Sequence, residues 1–247
     1  MHPTTKTHWL LAASLLGIGA GAHAHQVWLE QAAAGEAPVL RFGEFGENLR
    51  EASPGLLDKF VQPTARLVST GGSKQADARK TAGGFAQPFT PAPGESVVAE
   101  DARYPLYTSR QGDKSTSNWY HPAARLVTSL APQAPLLTLD LVPAAEAGSF
   151  KLTFKGQPLA KTKVTLVTQS GWSKEERTDA EGLVRFDMPW QGPYVAEVSH
   201  NDRTPGERPG AQGAEKYDAV SYVTTLSYRK PEGIAPIPAG PAATPNK

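Results

Sequence analysis

The stretch Phe150-Lys151-Leu152-Thr153-Phe154-Lys155 decides how this chain is read. Apolar and polar side chains alternate with a period of two, the pattern of a β-strand with one buried and one wet face. The alternation recurs on both sides of it. Val184, Phe186 and Met188 share a face, with Arg185 and Asp187 on the other. Val220, Tyr222, Leu226 and Tyr228 stand opposite Ser221, Thr225 and Ser227. Leu137, Leu139 and Leu141 alternate with Thr138 and Asp140. Shorter runs at 26–30, 39–45, 65–69, 96–99 and 124–129 read as further strands. Helical periodicity is scarce. One helix is expected from Ser53-Pro54, a capping residue followed by proline at the first helical position, covering Leu56, Leu57 and Phe60.

Between these runs, residues 71–84, 109–118 and 205–216 are polar and read as loops, and Asp179-Ala180-Glu181-Gly182 reads as a hairpin turn with Gly182 free to take positive φ. The small-residue stretch 143–148 is the sharpest internal boundary, and the tail from Pro231 is rich in Pro and Ala with no apolar period. The expected fold is therefore all-β: two β-sandwich-like domains, immunoglobulin- or prealbumin-like, over residues 25–143 and 148–230, then a disordered tail at 231–247.

Composition removes several functions. The chain has no cysteine, which excludes disulfides, Cys-ligated zinc or iron–sulfur sites and a thiol nucleophile. With 25 Lys plus Arg against 24 Asp plus Glu, it lacks the basic excess that nucleic-acid binding needs. No Gly-x-Ser-x-Gly, phosphate loop, dinucleotide fingerprint or His-Glu-x-x-His is present.

Residues 1–24 read as a secretory signal peptide. Lys6 supplies the positive leader, Trp9 to Ala22 is uncharged and apolar or small, and Ala22-His23-Ala24 is a small-x-small cleavage pattern. The run is shorter than the ~20 apolar residues of a membrane span, so a periplasmic mature chain with no membrane span is expected. Its removal takes Lys6 and three of the six histidines, leaving His25, His121 and His200 and equal numbers of acidic and basic side chains.

The second half carries Gly156-Gln157-Pro158-Leu159, then Thr178-Asp179-Ala180-Glu181-Gly182, then Gly192-Pro193-Tyr194. This resembles the carboxypeptidase-regulatory or prealbumin-like sandwich. Adding Pro189-Trp190, Glu197-Val198-Ser199-His200, the start Ala24-His25-Gln26-Val27-Trp28-Leu29-Glu30, and Arg41 to Asn48 followed by Ser53-Pro54-Gly55-Leu56-Leu57, the chain resembles the periplasmic family labelled domain of unknown function 4198. That resemblance implies an association with nickel and cobalt uptake.

Cleavage after Ala24 would place His25 at the mature terminus, where its amine and imidazole chelate one ion; cleavage after Ala22 would make it the third residue of His23-Ala24-His25. Both arrangements suit Ni(II) or Cu(II). The expected site comprises His25 as primary ligand, His200 as second, Asp202 as a ligand or orienting carboxylate, and His121, which lies beside Tyr120, as a further candidate. The residues Glu44, Glu47 and Glu51 read as a solvated charged edge. The function expected is a non-enzymatic binder of nickel, cobalt or copper that serves an inner-membrane metal transporter. Two rivals stand beside it: a carbohydrate- or protein-binding module using Trp119, Tyr120, Trp172 and Trp190, and a histidine-brace copper oxygenase.

Overall fold

Alternation becomes layering in the computed structural model, which describes residues 25–246. The expected signal peptide, and the final residue of the tail, lie outside the described residues. The protein is all-β, and among the described residues the one helical element is a single 3-10 turn at Leu56–Lys59. Leu57 and Phe60 are buried as expected, but no full helix forms. Gly55 enters the turn at φ 152°, and the Gln62-Pro63 pair draws the chain into extended conformation directly after it.

A nine-stranded sheet forms the middle layer. Its order is Ser173–Arg177, Lys163–Thr168, Gly192–Asp202, Ala219–Lys230, Lys114–Val127, Ser96–Glu100, Thr64–Ser69 and Gly72–Asp77, with Leu106–Gln111 paired to Lys114–Val127. Every pairing is antiparallel except Lys114–Val127 with Ala219–Lys230, which run parallel in the register His121↔Tyr222. At that junction the two halves of the chain join into one sheet.

Each face of this sheet is covered by a different layer. One flanking sheet orders Gln26–Glu30, Val39–Glu44, Gly84–Ala86 and Arg79–Thr81, with Leu49–Arg50 on Val39–Glu44. The other is built on Ser149–Phe154, flanked by Leu139–Pro143 on one side and by Gln157–Pro158 and Leu183–Arg185 on the other. Lys114–Val127 shows how the faces divide. Its Trp119 and Val127 pack with Leu141, Phe150, Leu152 and Phe186. Its Tyr120, Ala124 and Leu126 pack with Val27, Leu29, Leu40 and Phe42. Successive strand residues point to opposite faces, so the two cores lie on opposite sides of a shared sheet. Each fully buried Leu or Phe contributes roughly 1.5–3 kcal/mol to holding a layer.

Three expected loops are instead hairpins. Residues 71–84 include Gly72–Asp77 and Arg79–Thr81, residues 109–118 lie in the pair of Leu106–Gln111 with Lys114–Val127, and 205–216 holds Gly206–Gly210 paired with Gly213–Tyr217. Both faces of these arms meet solvent along most of their length, so backbone pairing holds them without an apolar period. The turn at Asp179 is present, with Gly182 at φ 75° and its N–H donating to the Asp179 carbonyl at 3.1 Å. It connects strands of different sheets rather than closing a hairpin, because Leu183–Arg185 pairs with Ser149–Phe154. The tail, expected to be disordered, follows a defined extended path with bridges Trp190↔Ile234 and Leu49↔Ala243. Composition misses this because backbone hydrogen bonds, not apolar burial, hold it. Among the described residues no helix is long and apolar enough to cross a membrane.

Candidate metal centre at the amino-terminal strand

His25 stands immediately before the strand Gln26–Glu30, which is buried on both faces through Val27, Trp28 and Leu29. Thr225 Oγ1 donates to the Val27 carbonyl at 2.8 Å and ties this strand to the central sheet. Tyr120 Oη donates to the His25 carbonyl at 3.2 Å. Burial raises the Tyr120 phenol far above its ordinary pKa, so it stays a donor. The His25 ring tilts against Phe42 with centroids 5.2 Å apart. Backbone and ring are thus both fixed.

Two carboxylates flank the imidazole. Glu51 Oε1 lies 2.5 Å from Nε2, and Glu44 Oε1 lies 3.4 Å from Nδ1. Both follow from the pairing of Val39–Glu44 with Leu49–Arg50, in register Gly43↔Arg50. The Glu51 N–H donates to the Phe42 carbonyl at 2.8 Å, which sets Glu51 beside buried Phe42. Glu44, two residues on, shares Phe42's face. The expectation of a solvated edge is corrected at Glu51, which is 0% exposed. Strand periodicity could not show this, since it does not say which strand lies above. The tight turn between Glu44 and Leu49 was the available signal, because it places residue 51 opposite residue 42.

A buried carboxylate requires compensating donors. Glu51 has the His25 ring and, from the far end of the chain, the Asn246 backbone N–H at 2.9 Å and side-chain amide at 2.6 Å. With Nε2–H donating to Glu51, Nδ1 is the ring nitrogen left facing Glu44. Sequence reasoning missed Glu44, Glu51 and Asn246 as members of this site.

A cavity of about 60 Å³ adjoins it, lined by Gln26, Glu44, Glu47, Thr165, Ser173 and Glu197 among others. Gln26 Nε2 donates to Glu197 Oε2 at 2.9 Å. Burial first, and then repulsion from Glu44, push the Glu197 carboxyl up to about 7, against the opposing Gln26 hydrogen bond. The folded protein therefore keeps a proton here that the unfolded chain loses above the ordinary carboxylate pKa. Stability falls as pH rises from about 4.5 to 7 and then levels. Glu197→Gln removes that penalty. In the metal-free protein it is expected to raise unfolding free energy at pH 8 by about 1–3 kcal/mol and to change it little at pH 4, as read by urea denaturation at the two pH values.

The other expected ligands lie elsewhere. His121 pairs with Tyr222 across one strand boundary and Tyr222 with His200 across the next. The three side chains form a row on the sheet face opposite His25, with the two histidine Cα atoms roughly 10 Å apart from strand spacing. His121 stacks on Trp119 at 4.7 Å, and its Nε2 lies 3.1 Å from Glu100 Oε2. That hydrogen bond, working against burial, lowers the Glu100 carboxyl. The His200 ring rests 4.5 Å from Phe154, and burial lowers its pKa. Asp202 is engaged by Lys155 Nζ at 2.8 Å and by the Thr204 N–H at 3.0 Å, which hold its carboxyl near 2. The expected set His25, His200, Asp202 and His121 thus does not converge, because the central sheet separates His25 from the rest. The aromatics divide in the same way: Trp119 and Tyr120 face opposite layers, while Trp172 and Trp190 pack edge to face at 5.0 Å.

Among the described residues, no three or more His, Cys, Asp or Glu side chains are grouped to hold a metal ion. What His25 and its neighbours provide is an imidazole nitrogen directed by a buried carboxylate, beside a second carboxylate. No curated protein and no solved structure matches the chain. The family model described as Domain of unknown function (DUF4198) matches residues 22–202, and the chain belongs to that family.

Proposed function

We propose that this is an exported, periplasmic transition-metal-binding protein that acts in nickel or cobalt handling and passes the ion to an inner-membrane transporter. The ligands are the amine and Nδ1 of His25, with Glu44 as the neighbouring carboxylate, in a chain that begins at His25 after signal cleavage. Two nitrogens and a carboxylate oxygen suit nickel, cobalt and, on the same grounds, copper. Glu51 does not bind the ion. It holds Nε2 and so keeps Nδ1 turned outward, as carboxylates do behind metal-bound histidines.

The carrying observation is Glu51 itself. A fully buried carboxylate 2.5 Å from one nitrogen of a half-buried histidine directs the other nitrogen. A non-catalytic role is the reading we take. A histidine-brace oxygenase needs a second imidazole beside His25, and His121 and His200 both lie across the sheet.

Calorimetric titration of the mature protein with Ni(II), Co(II) and Cu(II) tests this. Binding of at least one ion tighter than ~10 µM, about 7 kcal/mol, is expected, with loss in His25→Ala and retention in His121→Ala and His200→Ala. Weaker binding of all three, or affinity indifferent to His25→Ala, contradicts it.

A further inference from the structure

The last strand, Ala219–Lys230, ends far along the chain from His25, yet the tail returns to it. Its path is pinned in steps. The Ile234 N–H donates to the Pro189 carbonyl at 3.0 Å, and the Gln191 N–H to the Ile234 carbonyl at 2.9 Å. Gln169 Nε2 donates to the Ile237 carbonyl at 3.1 Å. Asn48 Nδ2 donates to the Gly240 carbonyl at 2.7 Å, and the Ala243 N–H to the Asn48 carbonyl at 3.2 Å. The path ends with Asn246 on Glu51, its Nδ2 also 3.2 Å from His25 Nε2. The partners span His25, Asn48, Glu51 and the 169–191 region, so the tail crosses both halves of the chain.

Its composition suits this route. Pro236, Pro238, Pro241 and Pro245 restrict φ and lower the entropy lost when an extended segment is fixed. Ile234 and Ile237 stay mostly exposed, so the tail buries little apolar surface. Glu51 gains what the tail provides. Its Oε2 accepts from the Asn246 N–H, and Oε1 is shared between the Asn246 amide and His25. Without Asn246, a fully buried carboxylate would lose two of these three donors, which charged groups tolerate poorly.

We propose that residues 231–246 form a strap that closes the amino-terminal site, with Asn246 as its positioning residue. Asn246 holds the Glu51 carboxylate and, through it, the His25 ring. The role in metal exchange rests on the proposed function above; the positioning of His25 does not. The strap slows exchange while its end is seated and permits release when its end is displaced. Only the terminal contacts must open for that, because the anchors at Ile234 and Ile237 lie well before it.

Four forms of the mature protein test this: the full chain, a chain ending at Gly240, Asn246→Ala, and Asn246→Gln as the conservative variant. In metal-free protein, the His25 Nε2–H proton is expected as a downfield NMR signal protected from solvent in the full chain. It should exchange at least about tenfold faster in the truncated chain and in Asn246→Ala, with partial recovery in Asn246→Gln. In Ni(II)-loaded protein, chelator-driven dissociation is expected to quicken by about the same factor in the same two forms. Equal proton protection in all forms overturns the strap, as does an unchanged dissociation rate from protein that binds Ni(II). If the proton responds as expected but the full chain binds no Ni(II), Co(II) or Cu(II), the strap stands and the metal-binding function fails.

Discussion

Asp140→Ala is expected to destabilise the protein by about 3–5 kcal/mol, the usual cost of leaving one member of a buried ion pair alone. Asp140 and Arg125 are both 0% exposed. Arg125 belongs to the central strand Lys114–Val127, and Asp140 to the covering strand Leu139–Pro143, so their pair joins two layers. Arg125 Nε lies 3.1 Å from Oδ1 and Nη2 2.5 Å from Oδ2. Nη1 donates to Ser96 Oγ at 3.3 Å and to Gln133 Oε1 at 3.1 Å. Asp140 Oδ2 accepts the N–H groups of Leu136 and Leu137 at 2.7 and 3.0 Å. Removing the carboxylate strands a guanidinium in the interior and frees two backbone donors. For a chain of this size the loss corresponds to a fall in melting temperature of about 6–20 °C. Arg125→Met combined with Asp140→Leu should recover the part due to the stranded guanidinium, because no unpaired charge remains. Urea denaturation of the parent and the two variants measures this. A loss below about 1 kcal/mol in Asp140→Ala would show that the pair does not hold the layers together.

The same residue marks how far sequence reading reaches. Alternation identifies the strand around Leu139 and Leu141, and those side chains are buried as their parity requires. It also assigns Asp140 to the wet face, whereas the segment carrying Gln133, Leu136 and Leu137 covers that face and closes over Asp140. Periodicity reports one buried side of a strand and is silent about what lies on the other. Glu51 is the second instance of this. His200 lies on the same parity as buried Tyr194, Ala196 and Val198 and meets Phe154 at the rim of that core. The parity that places it there also separates it from His25.

The candidate site was legible only at its centre. A histidine following a cleavage pattern is visible in one dimension. Its neighbours come from positions 26 and 221 residues away, brought in by strand register and by the returning tail. The polar arms at 109–118 and 205–216 were missed because strands wetted on both faces carry no apolar signal. The shared sheet was missed because its parallel junction joins strands about a hundred residues apart.

The central claim is that the ion is held by an amine that exists only once the chain begins at His25. Acetylation of that amine converts it to an amide nitrogen, while leaving the His25 ring and its glutamates in place. The remaining donors are then one imidazole nitrogen and one carboxylate, with no chelate ring through the His25 backbone. An affinity loss of about 100-fold or more is expected, roughly 2.7 kcal/mol. Because an amine must lose its proton to bind, the affinity of the unacetylated chain should also rise between pH 6 and 8, through the ordinary range of an α-amino group. The deciding measurement is a side-by-side calorimetric titration with Ni(II) and Cu(II) of two chains that both begin at His25, one with its amine free and one with that amine acetylated. The account predicts tight one-to-one binding only in the first; equal affinity in both would contradict it.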